Sequence, residues 1–126
     1  MSEQSLKPFL KWAGGKRQLL GEILERIPRT YDNYIEPFLG GGAVLFALQP
    51  KRALINDINA SLIHTYKIIA SDPQQFINKI KELDSRIVED GKEYYYLIRD
   101  LYNSKLMREE FDLELAALFV FLNKHC

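Results

Sequence analysis

The hydrophobic positions of this 126-residue chain change their spacing from segment to segment, and each change marks an element. Leu19, Leu20, Ile23, Leu24 and Ile27 recur at helical spacing and Pro28 closes the segment, which predicts a helix over Arg17 to Arg26. Tyr34-Ile35-Glu36 is a short β-prone run that ends at Pro37. Three glycines, Gly40 to Gly42, follow it, and Ala43 to Leu48 then favours helix. Ala53 to Asp57 reads as a second, buried strand, and Ala60 to Ala70 as a helix with Leu62, Ile63, Tyr66 and Ile69 on one face. Strands alternating with helices in this way predict a parallel sheet and an α/β fold.

Beyond Ser71 the pattern is helical throughout. Asp72 is a capping residue placed before Pro73, a proline at the first helical position. Phe76, Ile77, Ile80, Leu83, Ile87 and Val88 form an apolar stripe, and Gly91 ends it. Tyr94 to Tyr102 is a second helix with Leu97, Ile98 and Leu101 turned inward, and Asp112 caps a third through Leu122. The chain therefore divides into residues 1–70, with the strands, and a helical segment, 71–126. Two parallel strands are few for an open sheet, which more commonly has about five or six, so the sheet reads as incomplete.

Composition narrows the class without naming a function. With 47% hydrophobic residues the chain can build one ordinary core. Its longest apolar runs, such as Leu115 to Leu122, fall far short of the roughly 20 residues that span a bilayer. Met1-Ser2-Glu3-Gln4-Ser5 has neither the basic start nor the apolar stretch of a signal peptide, and the single Cys126 has no intrachain partner, so a cytoplasmic setting is expected. Lys plus Arg and Asp plus Glu each number 17, which leaves no broad footprint for nucleic acid. The basic residues that stand out are Lys7, Lys11, Lys16 and Arg17, around a first glycine turn.

The chemistry-bearing segments are Lys11-Trp12-Ala13-Gly14-Gly15-Lys16, Glu36-Pro37-Phe38-Leu39-Gly40-Gly41-Gly42 and Asn56-Asp57-Ile58-Asn59. A glycine loop between strand and helix lets the backbone approach a ligand closely. An acidic residue ending the next strand, about 20 residues on, can accept from both hydroxyls of a ribose. Asp57 stands there. The loop is not the dinucleotide Gly-x-Gly-x-x-Gly, which favours a single nucleoside-like cofactor. A P-loop is excluded, because Leu10 replaces its first glycine and Arg17 its magnesium-binding hydroxyl. Taken singly, each feature has a structural alternative: the glycines a tight turn, Asp57 a cap for the helix at Ala60, and Trp12 a core aromatic.

Together these segments resemble the Dam-like DNA adenine-N6 methyltransferases, which include the modification enzymes of type II restriction systems. Lys11 to Lys16 match the family's opening motif, Glu36 to Gly42 its acid-Pro-Phe-x-Gly-x-Gly loop, and Asn56 to Asn59 its Asp-Ile-Asn strand end. Leu122 to Cys126 looks like the start of its Asn-Gly-Leu-x-Arg segment, so the resemblance covers nearly the whole chain. It implies a Rossmann-like sheet, S-adenosylmethionine as cofactor, no metal, and a duplex DNA substrate whose adenine is flipped out of the stack. It further implies a cofactor site made by Trp12, Ala13, Gly14, Gly15, Lys16, Glu36, Phe38, Gly40, Gly42, Asp57 and Ile58. Within it Trp12 and Lys16 line the site, Glu36, Phe38 and Gly40 lie beneath the methionine end, and Asp57 holds the ribose. Lys11 would point toward DNA.

One departure qualifies the resemblance. The family holds its target amine with Asp-Pro-Pro-Tyr, and this chain has none; Asp72-Pro73-Gln74 lies at a predicted helix start. No catalytic residue is assigned. The chain reads as the cofactor-binding half of a longer enzyme, inactive alone, or as a non-catalytic binding module, or as one chain of a split enzyme whose partner carries the catalytic half.

Overall fold

The computed structural model describes residues 6–126, apart from the side chains of 88–90. Met1 to Ser5 and the side chain of Val88 lie outside it. The chain forms two compact units, one ending at Ile58 and the other beginning at Asn59. By packing, the helix that starts at Ala60 therefore goes with the helical part, ahead of the division expected at 70/71.

In the first unit a 3₁₀ turn, Lys16–Leu19, leads into α1, Leu20–Arg26. The periodicity placed one helix there from Arg17, but its first turn is wound more tightly. Strand β1, Tyr34–Glu36, is followed by α2, Ala43–Leu48, and by β2, Ala53–Ile55, which stops before the expected Asp57. The strands pair in parallel, with Tyr34 opposite Ala53, Ile35 opposite Leu54 and Glu36 opposite Ile55. Among the described residues they make a two-stranded sheet. Its centre is not the buried strand that was expected: Ile35 and Leu54 are each 66% exposed.

The second unit is helical. Helix α3 runs Ala60–Ser71, and Asn59 caps it by accepting from Leu62 N. Asp72 then caps α4, Pro73–Met107, accepting from Gln75 N, and Asp112 caps α5, Leu113–His125, accepting from Leu115 N. Gly91 breaks α4 with φ 55° and ψ −131°, as its place in the sequence foretold, although the helical windings on either side join across it. The core of this unit gathers Phe76, Leu83, Tyr94, Ile98, Ala116, Ala117, Leu118 and Phe121. Tyr94 and Ile98 set the buried face of the second half of α4. Leu97 and Leu101, expected inside, lie outside it, as does Ile77. The position that continues the face is Lys105, a buried lysine.

Candidate functional site

Because β1 and β2 are parallel, the segments that leave them emerge at the same edge of the sheet. Those segments are the loop from Pro37 to Gly42 and the strand end from Asn56 to Ile58. Backbone bonds stitch them together: Asn56 N donates to Glu36 O at 2.8 Å, and Leu39 N to Asn56 O at 2.9 Å. The next amide, Gly40 N, donates to the Asp57 carboxylate at Oδ2, 2.9 Å away. Asp57 thus serves the glycine loop, and the capping role open to it in the sequence is filled by Asn59.

Gly40 has φ 57° and Gly42 φ 81°, both in the left-handed region that favours glycine. The loop also needs the missing side chain at Gly40, since a Cβ there would lie 3.2 Å from Trp12 Cδ1. Trp12 is therefore a half-buried ring laid against the loop rather than a core aromatic. Its own turn is closed by Gly15 N donating to Trp12 O at 3.2 Å. Pro8, Leu10, Lys11, Trp12 and Gly41 help line a small pocket of about 160 Å³ beside this contact.

The first glycine turn is tied to β1 by charge. Lys16 Nζ lies 2.6 Å from Glu36 Oε1 and also donates to the Phe38 carbonyl. The Tyr34 hydroxyl donates to Glu36 Oε2, so both oxygens of this buried carboxylate are engaged. Burial, then the hydrogen bond and charge of Glu36, push the Tyr34 phenol well above its usual value and keep it protonated as a donor.

Three groups of expected residues meet in this unit: Trp12 with Gly40, Lys16 with Glu36 and Phe38 O, and Gly40 with Asp57. Others do not join them. The Phe38 and Ile58 side chains are 74% and 100% exposed, and Ala13, Gly14 and Lys11 are exposed as well. Tyr34 is the residue the sequence reading missed. It was legible in principle, because residues two apart on a strand share a face and Tyr34 stands two before Glu36. Among the described residues no group of three or more His, Cys, Asp or Glu could hold a metal, and no helix is long and apolar enough to cross a membrane.

The sequence profile of the D12 class N6 adenine-specific DNA methyltransferases matches residues 12–126. The chain is 41% identical to the type II methyltransferase M.MjaIII of Methanocaldococcus jannaschii, over 96% of this chain and 46% of that protein. It is 39% identical to the type II methyltransferase M1.LlaDCHI of Lactococcus lactis subsp. cremoris, over 94% of this chain and 40% of that protein. With the DNA adenine methylase of Escherichia coli K12 it shares 32% identity over 94% of this chain and 41% of the relative. The chain thus spans less than half the length of these relatives. The match takes in Trp12 to Lys16, the second glycine segment and the Asp57 strand end, and the chain belongs to the D12 class N6 adenine-specific DNA methyltransferases.

Proposed function

We propose that these residues are the cofactor-binding portion of an enzyme that transfers a methyl group from S-adenosylmethionine to adenine N6 in duplex DNA. In this reading β1 and β2 belong to a larger Rossmann-like sheet. The observation that carries it is the Gly40 N to Asp57 hydrogen bond, which joins the glycine loop to the acidic strand end.

The residues present suit a nucleoside cofactor. A carboxylate has about four lone-pair sites, so Asp57 can hold Gly40 N and still accept from a ribose diol. Gly40 keeps clear a space that a Cβ would fill, and Trp12 sets the Cδ1–Nε1 side of its indole beside it. Lys16 and Glu36 place opposite charges under the loop, suited to the amino-acid end of the cofactor, with Phe38 O alongside. Ala13, Gly14, Gly15, Gly42 and Ile58 complete the site, and Lys11 faces DNA. When bound, S-adenosylmethionine supplies a methyl group activated by its sulfonium. The chain's part is to bind and orient, because the 126 residues contain no Asp-Pro-Pro-Tyr to hold a weakly nucleophilic amine. A polypeptide of these residues alone should bind cofactor without methylating DNA.

Titration calorimetry with S-adenosylmethionine tests the site. Asp57→Ala and Trp12→Ala should each weaken binding tenfold or more while both variants keep their thermal midpoints within a few degrees. Equal affinity in all three proteins would remove the assignment.

A further inference from the structure

The edge of the sheet opposite the glycine loops carries a second charged feature that the sequence does not reveal. The segment before β1 and the segment before β2 are far apart in the chain, yet parallel pairing brings them side by side, with Tyr34 N donating to Arg52 O at 3.1 Å. Between them lies an open cleft of about 830 Å³. Arg29 lines it from one side and Lys51 and Arg52 from the other, with Asp32 the carboxylate among them. All three cations are exposed, and none makes an ion pair among the described residues. The linear sequence separates Arg29 from Lys51-Arg52, so the cluster exists only in the fold.

We propose that this cleft binds the phosphodiester backbone of nucleic acid, as a contact separate from the one expected of Lys11. Three cations against one carboxylate give a local excess of two positive charges in a chain whose net charge is zero. The cleft is wide, open and presents long side chains at its rim, which suits an extended polyanion that keeps its hydration better than a small, enclosed phosphate. Tyr31, 40% exposed in the same wall, adds a ring face for the sugar. A competing role for the cations is to complement the carbonyl ends of α1 and α2, which finish at Arg26 and Leu48. That role would act on stability and leave binding untouched.

Salt dependence separates these cases. Each phosphate contact contributes about 0.9 to the slope of log affinity against log salt. Binding of a labelled duplex of random sequence should therefore lose about two to three units of slope in the Arg29→Gln, Lys51→Gln, Arg52→Gln variant. Affinity at 50 mM salt should fall by tenfold or more, while Arg29→Lys, Arg52→Lys keeps both slope and affinity. Circular dichroism and the thermal midpoint of each variant confirm folding, and a charge-retaining variant that binds normally keeps the comparison sound. An unchanged slope in the triple glutamine variant would overturn the proposal, as would a loss of stability with affinity intact. Displacement of the duplex by inorganic phosphate at low millimolar concentration would also overturn it, since the cleft would then be a small-anion site. The outcome is independent of the methylation reading: Lys11→Gln weakening binding while the triple variant does not would leave that reading standing and remove this one.

Discussion

Gly40 donates its backbone N–H to the Asp57 carboxylate while Trp12 lies against the face of Gly40 where a side chain would be. One residue thus joins all three sequence segments of the site, and its identity matters twice, through its dihedrals and through its missing Cβ.

Gly40→Ala should be costly. An L-residue in the left-handed region loses about 1–2 kcal/mol, and the new methyl must displace the Trp12 ring. The total expected from denaturant unfolding is about 2 kcal/mol, with weaker cofactor binding alongside. Gly21, in the helix α1, provides the contrast: nothing lies within 4 Å of its Cβ position and its φ is not positive. Gly21→Ala should raise stability by about 0.5–1 kcal/mol. Equal tolerance at the two positions would mean that the loop does not hold this conformation.

Glu36 is a buried carboxylate satisfied from both sides, so removing either donor should be felt. Tyr34→Phe leaves Oε2 without its hydroxyl and should lower stability by about 1 kcal/mol. Lys16→Met strands the charge itself. Because the lysine side chain is 36% exposed and water can take its place in part, about 1–2 kcal/mol is expected. Lys16→Met combined with Glu36→Gln should cost less than the sum of the single changes, with a coupling near 1 kcal/mol by thermal unfolding. Strict additivity would show that the two side chains do not meet.

Lys105 gives the helical unit a distinct pH response. Its ammonium is held by Asp112 at 2.8 Å, Glu110 at 3.2 Å and Glu114 at 3.3 Å, with only 7% of the side chain exposed. The Asp112 bond, opposed by burial and aided by Glu110 and Glu114, raises the Lys105 pKa above its usual range. Burial pushes Asp112 up, but the Lys105 bond and the Leu115 amide outweigh it and leave its pKa lowered. A lowered carboxylate contributes stability above its unfolded pKa, about 3.9, that is lost as pH falls through the folded value. A raised lysine contributes below about 10.4 and loses its share as pH rises through its folded value. Stability attributable to the cluster should therefore be level from about pH 5 to pH 10 and decline at both ends. Lys105→Met should be less stable across that plateau, and its difference from the parent should shrink below pH 4 when both are unfolded by urea. A difference that stays constant down to pH 2 would place the stabilisation elsewhere.

What the sequence disclosed were features fixed by neighbours along the chain. Asp72 and Asp112 were read as caps because capping needs only the next turn, and both cap. The first strand followed from a short β-prone run ending at Pro37, and Gly91 from its interruption of the helical pattern. Features that need a second segment were not visible. Asp57 could cap locally or reach back to a loop, and only the parallel register, which sets the end of β2 beside Gly40, decides between them. Nothing along the chain singles out Lys105, because the carboxylates that hold it lie beyond a turn with Glu109 at φ 55°. Leu97 and Leu101 misled for the opposite reason: apolar character marks a side chain as able to be buried, while the packing of α4 on α5 chose the face with Tyr94, Ile98 and Lys105.

Ile35 and Leu54 are directly opposite in the sheet and each is 66% exposed, so two large apolar side chains meet on an open face. Phe38, 74% exposed, and Ile58, fully exposed, follow the same two strands at their ends. Water contact with such a cluster is unfavourable by about 25 cal/mol for each Å² of apolar surface, which favours association of any two molecules that present it. A polypeptide of these residues should therefore sediment as a concentration-dependent mixture above its 14.7 kDa monomer mass. Ile35→Thr with Leu54→Thr puts β-branched residues at both strand centres and removes the apolar pair, so the double variant should shift toward monomer with its strands intact. The pair, rather than the exposed helix residues Leu97 and Met107, is then the source of association, and Leu97→Gln with Met107→Gln serves as the matched control. Sedimentation velocity across a tenfold range of concentration distinguishes them. A parent chain that stays monomeric throughout, or a control that dissociates as far as the strand variant, would contradict the assignment.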